Sequence, residues 1–244
     1  MLKGVDVYSG DKVIDWGKVR SAGNDFAFIK ASQGTTIHDA RHEINIQGAQ
    51  AAGLLVGSYH FFMPTSDAAN QAKFFLSCVG DLTGQLIPII DAEKRGGMTV
   101  EAYSASVQAW LDVVEETIGR KPGIYVNGDY AESQLTHTFG EYPLWLAAWN
   151  TLPPSGNVGG WTGWTWWQND AYATVPGMPN INGVDTDRYD GTIAQLRTHV
   201  IGSVTPQTTP VRVVDHGTNA VIETLQMVPS GDHIADQGKL YVKR

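Results

Sequence analysis

With 244 residues, 42% of them hydrophobic and 17% charged, the chain can bury a real core and is too apolar for a disordered one. A net charge of −8 and a pI near 5.3 argue against steering toward nucleic acid, and no Lys/Arg cluster offsets it. One cysteine, Cys78, leaves no intrachain disulfide and reads as a small buried apolar residue.

Eight strands are expected in chain order: Gly4–Tyr8, Phe26–Ala31, Leu54–Phe62, Leu86–Asp91, Gly123–Asn127, Leu144–Trp149, Gly163–Gln168 and Gly183–Arg188. The early ones are continuous apolar runs, the mark of parallel strands covered on both faces. Helices fall between them at Asp15–Ala22, Asp39–Ala52, Ser66–Val79 and Val100–Ile118. The last places Val100, Tyr103, Val107, Trp110, Leu111, Val114 and Ile118 at three-or-four spacing, with Gly119 to end it. Past residue 140 the helical period fades into Pro/Gly-rich loops. The fold class is therefore α/β: an irregular β/α barrel of eight strands and about five helices over residues 1–204. Residues 205–210, Thr-Pro-Gln-Thr-Thr-Pro, read as a linker, and 211–244 as a small β-rich segment of two or three strands. The tail's four basic and four acidic residues balance, so the whole net charge lies on the rest of the chain.

In a β/α barrel the reactive groups belong at the C-terminal ends of the strands. Four acids are expected there: Asp6, Asp91, Glu93 and Asp185. Pro88-Ile89-Ile90 runs straight into Asp91-Ala92-Glu93, and residues two apart on a strand share a face, with Cα atoms roughly 6.6 Å apart. Alone, such a triplet is an ordinary solvated loop. At the mouth of a buried strand it suits glycoside hydrolysis, where one carboxyl donates a proton and the other handles positive charge at the anomeric carbon. Asp187 and Asp190 read as loop and helix-cap residues.

The ordered motifs Asp6-Val7-Tyr8-Ser9-Gly10, Asp25-Phe26-Ala27-Phe28-Ile29-Lys30-Ala31, Gly57-Ser58-Tyr59-His60-Phe61-Phe62, Asp91-Ala92-Glu93, Pro122-Gly123-Ile124-Tyr125, Pro143-Leu144-Trp145-Leu146-Ala147, Trp164-Thr165-Trp166-Trp167-Gln168 and Val184-Asp185 resemble the family-25 glycoside hydrolases, the N-acetylmuramidase type of lysozyme. The resemblance spans roughly residues 3–200. It implies a flattened, partly irregular barrel and cleavage of the β-1,4 bond between N-acetylmuramic acid and N-acetylglucosamine in bacterial peptidoglycan. It implies Glu93 as general acid, Asp91 as the carboxylate assisting at the anomeric centre, and Asp6 and Asp185 as the other acids of the site. Asp187 stands where many members carry Asn, and Trp149 where Tyr is frequent.

Tyr59, Tyr125, Trp145, Trp166 and Gln168 are expected to bind substrate, the aromatics by stacking on sugars or touching acetamido groups. Trp110 reads as core, and Trp16 and Trp161 are open to either role. His38 and His42 with Glu43 lack a third ligand and the His-Glu-x-x-His order, so a solvated helix face is expected there, with no metal and no cofactor. His60 borders a strand end without an assigned role. Asn157-Val158-Gly159-Gly160 reads as loop, not a phosphate cradle.

The start of the chain lacks an apolar signal core, and no run nears the roughly 20 apolar residues of a membrane span. With the muramidase resemblance, this suggests a phage endolysin made in the cytoplasm and released to the wall through a holin-type pore, without membrane insertion. The tail would then target the wall or self-associate. The alternative is a catalytically inactive glycan-binding module on the same barrel. A chitinase-like hydrolase would need further Asp residues ahead of the Glu, and they are missing.

Overall fold

Nine strands form one sheet: β1 (Leu2–Val7), β2 (Phe26–Gln33), β3 (Ile37–His38), β4 (Leu55–Phe61), β5 (Leu86–Asp91), β6 (Gly123–Asn127), β7 (Leu144–Ala147), β8 (Trp166–Ala173) and β9 (Val184–Tyr189). The structure is a computed structural model that describes residues 1–179, 183–202, 209–214, 221–227, 233–236 and 239–242. Around the sheet the order is β1-β2-β4-β5-β6-β7-β8-β9, and β9 pairs back onto β1, closing an eight-stranded barrel; β3 folds back on β2 outside the ring. Helices α1 (Trp16–Ser21), α2 (His42–Ala51), α3 (Ala68–Val79) and α4 (Val100–Ile118) fill the early crossovers. The short α5 (Gly128–Gln134) and α6 (Ile193–Leu196) follow.

Local chemistry sets the helix ends. Asp15, Asp67 and Thr99 accept the backbone N–H three residues on and start α1, α3 and α4. Gly119 ends α4 at φ 71°, a left-handed cap that glycine adopts without a Cβ clash.

Strand alternation separates two cores. On β2, Phe26 and Phe28 point into the barrel with Trp145 and Trp166, while Ala27 and Ile29 point outward to meet Trp16, Val19, Ile46 and Ala49 beneath α1 and α2. Trp110, at the centre of α4, and Trp161 are buried, the latter stacked on Phe139. Small residues make room for large ones on the inner face. A Cβ on Gly57 would stand 2.6 Å from the Phe28 ring, and one on Gly123 would stand 2.4 Å from Ile89.

Several expectations need correction. β9 runs antiparallel to both its neighbours, β1 and β8, because among the described residues no helix intervenes after β8 and the chain returns directly. β8 begins three residues later than expected and continues to Ala173, as pairing with β9 extends it. β7 ends at Ala147, leaving Trp149 in a loop. Cys78 is half-buried on α3 rather than fully in the core.

The chain forms two compact units, Met1–Ile201 and Gly202–Arg244. The expected linker falls outside the described residues, except Thr209 and Pro210, which open β10 (Thr209–Val214). In this second unit β10 pairs antiparallel with β11 (Val221–Met227), and β12 (His233–Asp236) with β13 (Lys239–Val242). Four strands stand where two or three were expected. No helix among the described residues is long and apolar enough to cross a membrane.

Candidate active site

The inward-facing positions nearest the C-terminal ends of the parallel strands line one cleft of about 210 Å³. β1 supplies Asp6, β2 Lys30, β4 Tyr59 and Phe61, β5 Asp91 with Glu93 just past its end, β6 Tyr125, β7 Trp145 and β8 Gln168. Each is an even number of residues from an inner-face neighbour such as Gly4, Phe28, Gly57, Ile89 or Gly123, so period-two alternation alone aims them at one space. Asp185 joins them from the start of β9. Because β9 is antiparallel, its N-terminal end lies at the same mouth, and Asp185 is directly opposite Asp6 in the β1–β9 register. Its placement differs from the expected strand C-terminus while the end of the barrel is the same.

Four of the five expected substrate-binding residues line the cleft. Tyr59, Tyr125, Trp145 and Gln168 do; Trp166 does not. Trp166 lies one inner-face step below Gln168 on β8, fully buried between Phe28, Tyr189 and His199. Barrel interiors stack side chains in layers, and only the top layer opens to solvent. Trp145 is the floor: its ring stacks on Phe28 at 4.5 Å and meets Tyr125 edge-on at 4.7 Å.

Gln168 ties the polar wall together. Its amide Nε2 donates to Asp6 Oδ2 at 2.8 Å, and its Oε1 accepts from the Tyr125 hydroxyl at 2.9 Å and from Trp149 Nε1 at 3.0 Å. Asp187, read from sequence as a loop residue, is instead a fully buried inner-face residue of β9, whose Oδ1 accepts from Trp145 Nε1 at 2.8 Å. It holds the floor in place from behind. The missed signal was its spacing, two residues after Asp185 on one strand.

Burial dominates the electrostatics. It pushes the Asp6 carboxyl well above the usual carboxylate range, with Asp187 and Asp185 pushing the same way and the Gln168 amide pulling back. Asp185 rises to about 6, mainly through burial and then through Asp11, Glu93 and Asp170. Burial likewise drives Asp91 well up, reinforced by the adjacent Glu93 carboxylate and opposed by Lys30 and Lys94. Asp91 Oδ1 is buried with no hydrogen-bond partner among the described residues, whereas Glu93 is exposed at the rim.

Lys30 is the cation within this acidic cleft, and sequence reasoning passed it over. It donates to Gln33 Oε1 at 2.9 Å and lies 4.7 Å from the Phe61 ring centroid, with its own pKa lowered by burial. In Phe28-Ile29-Lys30 a charge closes an apolar run, the same feature that marks the acids. His60 faces away from the cleft: it hydrogen-bonds Ser32 and Gln71 and stacks on Trp110, and burial lowers it to about 4. Against the expected solvated face, His42 is buried and turns inward to Ser58, while His38 stays on the surface.

A family model for the glycosyl hydrolases family 25 matches residues 5–178. This chain belongs to glycoside hydrolase family 25. It is 33% identical over 207 residues to the uncharacterized protein YegX of Escherichia coli K12, covering 82% of this chain and 74% of that one. It is 31% identical over 209 residues to an N,O-diacetylmuramidase of Arthroderma benhamiae, covering 80% and 85%. The barrel also superposes on the bacterial lysozyme of Streptomyces coelicolor with TM-score 0.77 and 27% identity, covering 82% of this chain and 96% of that one. The family match contains Asp6, Asp91 and Glu93 and stops short of Asp185. The enzyme is a glycoside hydrolase.

Proposed function

We propose that this glycoside hydrolase is an endo-acting muramidase, cleaving the β-1,4 bond between N-acetylmuramic acid and N-acetylglucosamine in bacterial peptidoglycan. The observation that carries the reading is the gathering of Asp6, Asp91, Glu93 and Asp185 over an aromatic floor at one barrel mouth. Its similarity to lysozyme M1 of Streptomyces globisporus and to the N,O-diacetylmuramidase of Arthroderma benhamiae supports it.

In this reading Glu93, at the exposed rim, delivers a proton to the glycosidic oxygen as the C–O bond breaks. Asp91, as a carboxylate, steadies the positive charge at the anomeric carbon, directly or through the substrate's acetamido group. Water adds at that carbon and returns a proton to Glu93. Asp6, Asp185 and the Gln168 amide line the opposite wall and hold the sugar against Trp145.

General acid catalysis contributes about 10²–10⁴-fold. Glu93→Gln is therefore expected to lose activity by that factor in clearing cell walls, with unchanged circular dichroism. Mass spectrometry of the wild-type digest should show new reducing-end muramic acid. Clearing by Glu93→Gln at the wild-type rate, or reducing-end glucosamine, would overturn the assignment. The phage-endolysin reading, with release to the wall through a pore, belongs to the same proposal. It predicts that cytoplasmic expression lyses cells only when a pore-forming protein is co-expressed. For residues 211–244 we propose wall targeting or self-association, tested by wall pull-down and solution mass after their deletion.

A further inference from the structure

The β8–β9 wall has a second face. Trp167 on β8 and its register partner Arg188 on β9 have the opposite parity to Gln168 and Asp187, so they point away from the cleft. Behind the wall lies a groove of about 520 Å³. Buried Trp167 is its floor, and Trp149 and Tyr172 are its sides, with ring centroids 6.5 Å apart and planes at 69°. Both rings are open to solvent, Trp149 at 59% and Tyr172 at 77% exposure, on a chain that buries most of its other aromatics. Asn150, Thr151 and Asn169 supply amides and a hydroxyl along the rim. Large exposed aromatic rings beside convergent polar groups mark a binding surface.

The two rings are held in place. Trp149 donates its indole N–H to Gln168, the residue that also contacts Asp6 and Tyr125, so one amide is shared between cleft and groove. The Tyr172 backbone N–H donates to Asp170 Oδ1 at 2.8 Å, and Gly183 packs so closely that a Cβ there would stand 2.5 Å from Tyr172 Cα. A preformed site loses less entropy on binding than a mobile one.

We infer that this groove is a distal subsite for a further sugar of the glycan strand whose scissile bond lies in the cleft. The inference rests on the muramidase reading and deepens it. A pyranose presents an apolar C–H face to Trp149 or Tyr172, and its hydroxyl and acetamido groups meet the three amide and hydroxyl side chains. A stem-peptide carboxylate fits less well: the Arg188 guanidinium is already donating to the Asp187 carbonyl at 2.9 Å, and Asp170 lines the same groove.

The test uses the full chain carrying Glu93→Gln, titrated by tryptophan fluorescence with peptide-free glycan oligomers of four and of eight sugars. The longer oligomer is expected to bind about fivefold more tightly, and Tyr172→Ala to abolish that gain while Tyr172→Phe keeps it, since one aromatic contact contributes a few-fold. A gain that survives Tyr172→Ala, or one that appears only with peptide-bearing strands, would overturn the distal sugar site. Failure of both oligomers to bind would instead count against the muramidase reading itself. Unchanged circular dichroism in both variants separates loss of the ring from loss of the fold.

Discussion

Asp6 and Asp185 face each other across the antiparallel β1–β9 pair, two acids directly opposed at the barrel mouth. Like charges so placed destabilise a sheet, and they persist here because both line the cleft. Asp185 is raised to about 6, above its unfolded value near 4. Between those pH values the folded state binds more protons than the unfolded one, so this group's contribution to stability falls as pH rises through 6. Asp185→Asn should therefore raise Tm at pH 7 by about 2–4 °C, the equivalent of ~1 kcal/mol after discounting for solvent screening. Thermal scans of variant and wild type should converge by pH 4, and turnover at pH 7 should fall on the order of tenfold.

Lys30 is a cation beside the Asp91–Glu93 pair and opposes the upward push on Asp91. Replacing it with Met removes that counterweight. Asp91 should then hold its proton more tightly, moving the kcat/KM profile to higher pH. A profile that stays in place would show that the pair is insulated from Lys30.

Gln168 serves three partners at once: Asp6, Tyr125 and Trp149. Gln168→Leu leaves each with an unmet hydrogen bond, which costs about 1–3 kcal/mol where the group is buried. The variant should unfold at lower denaturant with an unchanged m-value. Its pH profile should also shift upward, because the Asp6 carboxylate loses the amide that favours its charged form.

Asp187 is buried with its carboxyl raised well above the usual range, chiefly by desolvation, while its Oδ1 holds the Trp145 indole. Asp187→Asn keeps an acceptor for Trp145 and removes the titrating group. Stability should rise at pH 7 by about 1 kcal/mol and by less near pH 4, with activity within about threefold of wild type. Asp187→Leu should lose both stability and activity, because Trp145 drops its partner. Equal behaviour of the two variants in urea unfolding and turnover assays would argue that the indole bond does not position the floor.

Much of the regular structure was legible along the chain. Helix α4 spans Val100–Ile118 as the three-or-four spacing and Gly119 indicate, and β5 matches the apolar run Leu86–Asp91. Asp6, Asp91 and Glu93 could be found the same way, since a charge closing an apolar run stands out locally. Lys30 carried that signal too and needed only the same reasoning. Trp166 could not be separated from Trp145 by inspection. Both are inner-face tryptophans on adjacent strands and in register, and the layer each occupies depends on how the strands stagger around the barrel.

Spacing and hydrophobic period, both properties of neighbouring residues, determined the barrel class, the helix ends and the four acids at the mouth. The direction of β9 was beyond their reach, because a strand's apolar pattern reads the same in either sense. The short return from β8 turned that strand around, and the sheet then closed onto β1. That closure set Asp185 against Asp6, buried Asp187 beneath Trp145, and gave the β8–β9 wall two faces, one toward the acids and one toward the exposed pair Trp149 and Tyr172.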